Sequence, residues 1–218
     1  MKEKIPIKRK VGRPVKKDRK NSHTRDCIIN ASRELFIKYP YSDVTIISIA
    51  LLSGTNPALV RYYFISKENL YQEMLFSISD ELKGYLKESN WQEAKTPVEP
   101  LMNAYIKIFK QKPSITKLVF RELLTENSKE KKKVLNCLFK PNAEFILKTT
   151  NLYFSEKYFI DDIKVIINFM VGVVFMYAFK ESIEEAGAGD ILPENYDDVI
   201  EDNIRFIESA YFDLYHKG

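Results

Sequence analysis

The stretch Thr45-Ile46-Ile47-Ser48-Ile49-Ala50-Leu51-Leu52-Ser53-Gly54-Thr55-Asn56-Pro57-Ala58-Leu59-Val60-Arg61-Tyr62-Tyr63-Phe64-Ile65-Ser66-Lys67 decides how the chain folds, because it reads as two short helices joined by a glycine turn. Thr45 is a good N-cap, and Ile46, Ile49 and Ala50 recur at helical spacing. Gly54 is the residue that enters the left-handed conformation without a Cβ clash, as the position just past a helix requires. Asn56 caps a second helix, and Pro57 stands where its missing N–H is never needed. Four apart, Val60 and Phe64 pack inward and leave Pro57, Ala58, Arg61 and Tyr62 facing out. Ser66 caps a third helix, with Ile65 and Leu70 placed to staple its start.

Two short helices around a tight turn also describe a plain αα-hairpin. The exposed face favours DNA reading instead. Ala58 offers an apolar contact for a thymine methyl and Arg61 a bidentate guanine reader, while Tyr62, Tyr63 and Lys67 supply donors for phosphates.

Gly54 through Leu70 resembles the recognition-helix signature of the TetR family of bacterial transcriptional repressors, in which a glycine turn leads to a helix ending in Tyr-Tyr-Phe and then Ser-Lys-Glu-x-Leu. Upstream, Ile28, Ala31, Leu35, Phe36 and Tyr39 resemble the family's first helix, which packs behind the reader. At the place of Arg61 the commoner family pattern has tyrosine. The resemblance covers roughly residues 22–84 and implies an all-α protein: an N-terminal three-helix DNA-binding helix-turn-helix domain plus a larger helical ligand-binding and dimerisation domain. It makes Thr45, Ser48, Asn56, Pro57, Ala58, Arg61, Tyr62, Tyr63 and Lys67 the candidate DNA contacts.

Composition agrees with an all-α reading. The 218 residues are 45% hydrophobic and 13% aromatic, which excludes general disorder, and contain only seven glycines. Charge is uneven. Residues 1–25 hold eleven cations against Glu3 and Asp18, a net +9 in a chain totalling +4, so the remainder carries −5. A cationic arm, residues 1–21, therefore precedes a DNA-binding domain at 22–84, with the motif at about 45–64, and a ligand-binding and dimerisation domain at 85–218. Within the arm, Gly12-Arg13-Pro14 resembles the core of an AT-hook, in which Arg13 enters a narrow A·T-rich minor groove, although Val11 stands where the stronger form has arginine. A merely solubilising tail is the alternative.

Beyond a helix from Ser66 to about Glu88 and a connector at 89–100, helical patterns fall at about 101–110, 113–127, 129–139, 141–154, 160–186 and 195–216, with Pro113 and Pro141 as punctuation. The last two helices carry the expected dimer interface, through Ile163, Ile167, Met170 and Val174 on one and Ile200, Ile204, Ile207 and Tyr211 on the other, since a reader of a palindrome is itself two-fold symmetric. The apolar run from Val165 to Phe179 is too short to span a bilayer. No secretory signal is recognisable and the two cysteines are Cys27 and Cys137, so a cytoplasmic, nucleoid-associated protein is expected. Cys27 reads as a small buried hydrophobe. The lysine run before Cys137 leaves a reactive thiol there open.

An enzyme finds little support. His23 and His216 have no evident nucleophile beside them, and there is no zinc spacing, phosphate-cradling glycine loop or nucleophile elbow, so neither cofactor nor metal is expected. Glu122 reads as a partner for Arg121 or Lys117 rather than a ligand contact. The expected function is a homodimeric repressor of a palindromic double-stranded operator, released by a small apolar effector of unknown identity and without membrane partners. As the resemblance implies, the middle helices, rich in Phe109, Phe120, Phe139, Phe145, Phe169 and Met170, would enclose an apolar pocket for the effector. The rivals are an architectural DNA-binding protein without effector and, more weakly, a helical enzyme fused to a helix-turn-helix.

Overall fold

The computed structural model of the protein describes residues 19–125, 128–154, 172, 179, 183–187 and 196–215. Arg13, Ile163, Ile167, Met170, Val174, His216 and, apart from Gly172 and Phe179, the apolar run at 165–179 lie outside them, as do the side chains of Phe109, Ile200 and Tyr211. Among the described residues the regular structure is helical: α1 (Arg19–Lys38), α2 (Ile46–Leu52), α3 (Pro57–Phe64), α4 (Lys67–Glu88), α5 (Val98–Gln111), α6 (Pro113–Leu124), α7 (Lys129–Val134), a π-helical turn (Leu135–Phe139), α8 (Lys140–Phe154) and α9 (Tyr196–Tyr215).

Two compact units result. Among the described residues, the first takes those up to Ser79 and Leu118–Leu138; the second takes Asp80–Lys117 and those from Phe139 onward. The first unit thus gathers residues from beyond α5, which local sequence periodicity does not announce.

In the first unit, Ile28, Phe36, Val44, Ile49, Val60, Leu70, Tyr71, Met74 and Leu75 are fully or almost fully buried. The inward residues of α1, α2, α3 and α4 therefore share one small apolar core. Its aromatic centre is Phe36, whose ring lies 4.8 Å from that of Tyr71 and 5.7 Å from that of Tyr41. Such edge and offset contacts add specificity to area burial.

The second unit has its own core, built from Leu86, Trp91, Val98, Leu101, Met102, Ile146, Phe154 and Ile207. Trp91 buries its indole by giving its N–H to the Leu86 carbonyl at 2.6 Å. Thr96 hydrogen-bonds Glu208, tying the connector to α9 across 112 residues of sequence. α5 begins at Val98 rather than 101, because Pro100 falls in the first turn, where its missing N–H costs nothing.

Pro141 does not break the chain as its sequence position predicts. Helix runs unbroken from Lys129 to Phe154, and a π-helical turn at Leu135–Phe139 comes just before the proline. A widened turn relieves the clash between a proline ring and the carbonyl four residues back, so the proline is absorbed as a local bulge.

Candidate nucleic-acid interface

The α2–α3 pair is held by local hydrogen bonds that can be followed one by one. At the start of α2, the Ser48 N–H donates to Thr45 Oγ1 at 3.0 Å and the Thr45 N–H donates to Ser48 Oγ at 3.0 Å, a reciprocal capping box with serine in the third position. Ser48 Oγ also donates to the Thr45 carbonyl at 2.8 Å, and Ser48 is buried. Of the two residues, Thr45 faces solvent and Ser48 is committed to the cap.

The helix ends in a Schellman motif. The Thr55 N–H reaches the Ala50 carbonyl at 2.9 Å and the Gly54 N–H the Leu51 carbonyl at 3.3 Å, with Gly54 at φ +67°. Asn56 then accepts from the Leu59 N–H at 2.8 Å, and Pro57 opens α3. Val60 and Phe64 are buried; Ala58, Arg61 and Tyr62 face out, and Tyr62 is 77% exposed. Tyr63 is half-buried, its ring 5.3 Å from that of Tyr62. Sequence periodicity thus assigns Val60, Phe64, Ala58, Arg61 and Tyr62 to the faces on which the structure has them, while Pro57, expected to face out, is half-buried at the helix start.

Ile65 departs from expectation. It is 77% exposed and sits at φ +63°, ψ −52°, while the Ser66 N–H bonds the Phe64 carbonyl at 2.6 Å. This is a γ-turn with positive φ, a strained form for a β-branched residue. The chain reverses within one residue between α3 and α4, which swings Ile65 outward and precludes the staple with Leu70. Ser66 nevertheless caps α4, accepting from the Asn69 N–H at 3.1 Å.

Lys67 also has a different occupation from the one its charge implies. Its ammonium donates to the Tyr41 carbonyl at 2.8 Å and the Val44 carbonyl at 3.0 Å and stands 4.1 Å from the centroid of the Tyr41 ring. Burial lowers its pKa, opposed by Glu130 and Asp43. Two of its three N–H donors are thus consumed in fastening the loop before α2 to the start of α4. On the same ring, Lys133 from α7 lies 5.1 Å away and pairs with Glu68 at 3.0 Å. Burial raises the Tyr41 pKa, and Glu68 and Glu130 add to it.

Arg25, which charge counting alone groups with the basic arm, pairs with Glu73 at 2.6 Å and lies 5.3 Å from the Phe64 ring centroid. It braces α3 from behind. Arg121 donates through Nη1 to the Ile37 carbonyl at 3.0 Å and through Nη2 to the Phe36 carbonyl at 2.6 Å, and its guanidinium meets Glu122 at 2.9 Å. Periodicity cannot find this contact, since it joins residues 85 positions apart. Glu122 is indeed the partner of Arg121.

Among the described residues no group of three or more His, Cys, Asp or Glu is placed to hold a metal ion, and no helix is long and apolar enough to cross a membrane. Cys137 is buried, and desolvation raises its pKa against the lowering effect of Lys133. Burial at this thiol thus runs against the activation that the lysine run suggests. Cys27 is half-buried, with its sulfur 3.2 Å from His23 Nδ1.

Residues 28–74 match the family model of the bacterial regulatory proteins of the tetR family. A stretch of 69 residues is 36% identical to the HTH-type transcriptional regulator QacR of Staphylococcus aureus (strain Mu50), covering 32% of this chain and 32% of that protein, so the likeness spans about a third of each. The fold extends further than the sequence likeness. A TetR-family transcription regulator from Marinobacter aquaeolei VT8 superimposes with a TM-score of 0.62 at 15% identity over 88% of this chain and 97% of that one. The fatty acid degradation regulator FadR from Bacillus halodurans does so with a TM-score of 0.60 at 16% identity over 84% and 96%.

Proposed function

We propose that this chain, a member of the tetR family of bacterial regulatory proteins, is a homodimeric repressor that binds a palindromic operator through α3 and releases it when a small apolar effector binds the second unit. The observation that carries the reading is the capped, glycine-turned pair α2 and α3 with Arg61 on its outer face. Pro57, Ala58, Arg61 and Tyr62 are the base-facing set; Thr45, Asn56 and Tyr63 stand at its margins toward the phosphates. Ser48 serves through the cap.

Dimerisation is assigned to the C-terminal helices, with one revision. Ile207 belongs to the second unit's own core and Ile204 packs against it, because the stripe containing them faces α5. Among the α9 residues whose side chains are described, the outward aromatic is Phe206, 65% exposed, and it replaces Ile207 as the interface candidate.

Release would follow from a differential preference of the effector for a dimer whose two readers no longer match successive major grooves. A chain confined to the cytoplasm and nucleoid fits this role.

Footprinting of DNA upstream of the chain's own gene and its neighbours tests the reading. An inverted repeat should be protected, with half-site centres about 10 base pairs, or a multiple of that, apart. Equal affinity for that repeat and for random DNA would favour an architectural protein, a reading to which the arm, net +8 over residues 1–21, lends weight. Deleting residues 1–18 should flatten the slope of log K against log salt by roughly 0.9 for each phosphate that the arm neutralises. An unchanged slope would make the arm a solvated tail.

A further inference from the structure

The reader's outer surface is short of hydrogen-bond donors and long on methyl groups. α2 and α3 together hold a single Lys, Arg or His, which is Arg61. The Asn56 side-chain oxygen is taken by the cap, and the Ser53 and Thr55 hydroxyls bond each other at 2.8 Å. What faces out beside Arg61 is Ala58, the 77% exposed Tyr62 and, on α2, the 60% exposed Ile47 together with the less exposed Leu51 and Leu52 toward its C-terminal end. Ile47 stands two residues after the N-cap Thr45, and it has nothing to offer a phosphate.

We infer that this surface reads thymine C5-methyl groups, so that its operator half-sites are A·T-rich with few obligatory G·C pairs. The inference rests on the proposed function and specifies its DNA. In the major groove the thymine methyl is the one apolar feature of a base edge, and small or aliphatic side chains are its partners. Arg61 alone can make the bidentate contact to guanine O6 and N7, which limits each reader to about one such position. Ala58 and Ile47 meet methyls on either side of it, and continuity with Arg61 on the same exposed motif makes DNA, rather than a protein partner, the occupant.

Selection of operators from a random library by the full chain, followed by replacement of thymine with uracil at each position of the half-site, tests this. Uracil pairs as thymine does and lacks only the methyl. The selected half-sites should be A·T-rich, and uracil should weaken wild-type binding about four-fold at two or more positions, the worth of one buried methyl. In Ile47→Ala one of these penalties should shrink, and in Ala58→Ser another. Each variant is compared with itself on two DNAs, so a loss of folded protein does not imitate the result. A selected operator bound equally well with uracil throughout, or penalties that persist in both variants, would overturn the inference while leaving the repressor standing. Selection of no sequence above random would instead overturn the repressor.

Discussion

Arg121 Nη2 donates to the carbonyl of Phe36 at 2.6 Å, and Nη1 to that of Ile37 at 3.0 Å, so a guanidinium from α6 closes the C-terminal end of α1. The last carbonyls of a helix have no partner within it and carry partial negative charge, which makes a cation the fitting cap. Glu122, itself buried, balances that cation.

Arg121→Ala removes the cap and leaves the Glu122 carboxylate buried without its partner. Urea denaturation should show a loss on the order of 3 kcal/mol. In the double variant Arg121→Ala/Glu122→Leu part of that should return, because the uncompensated charge is gone. A loss below about 0.5 kcal/mol in the single variant would mean the pair behaves as a surface contact.

Arg61 and Lys67 should separate cleanly. Arg61→Ala is expected to weaken operator binding by about 1 to 3 kcal/mol, relaxing preference at one base position, with no change in the denaturation midpoint. Lys67→Ala should lower the midpoint, since two carbonyl bonds and a cation–π contact disappear. Gel-shift titrations beside urea curves read both; a Lys67→Ala protein of full stability that binds all DNA weakly would return Lys67 to the phosphates.

At Ile65 the φ of +63° penalises any side chain, and one that is 77% exposed loses no packing when removed. Ile65→Gly should stabilise the protein by about 1 kcal/mol, the left-handed penalty less the extra freedom of glycine in the unfolded chain. A destabilised Ile65→Gly would show that the isoleucine has a packing role in solution.

On α9, Ile207→Asp places a charge in the core of the second unit and should unfold it. Phe206→Asp should give folded monomers by analytical ultracentrifugation, with operator binding lost although the reader is untouched. Folded Phe206→Asp dimers would move the interface off this face.

Burial raises the pKa of Tyr71 far above 10.0 and pushes Tyr105 up to about 12. A group whose folded pKa exceeds its unfolded value contributes stability that is intact below the unfolded value, here 10.0, and is lost as pH rises through the folded one. Stability should therefore be insensitive to these phenols at pH 7–9 and fall steadily above pH 10, with tyrosinate absorbance appearing in step with unfolding. Substituting Tyr71 by Phe should make that decline shallower. Full ionisation of every tyrosine in still-folded protein would contradict the burial.

Local chemistry in residues 45–66 determined the reader on its own. Thr45, Gly54, Asn56, Pro57 and Ser66 each satisfy or terminate backbone hydrogen bonds within a few residues of themselves, so their roles could be read without knowing the rest of the fold. The two faces of α3, Pro57 apart, followed from spacing for the same reason. Tertiary structure alone decided what the long side chains do. Lysine and arginine carry their charge four or more bonds from the backbone, and whether it meets water, DNA or a carbonyl depends on what the fold brings within reach. Thus Lys67 turned inward to Tyr41 and Val44, Arg25 to Glu73, and Arg121 to a helix end 85 residues earlier. Apolar stripes are ambiguous in the same way: periodicity finds Ile207, but only the packing of α5 against α9 says that its stripe is core, leaving Phe206 outside.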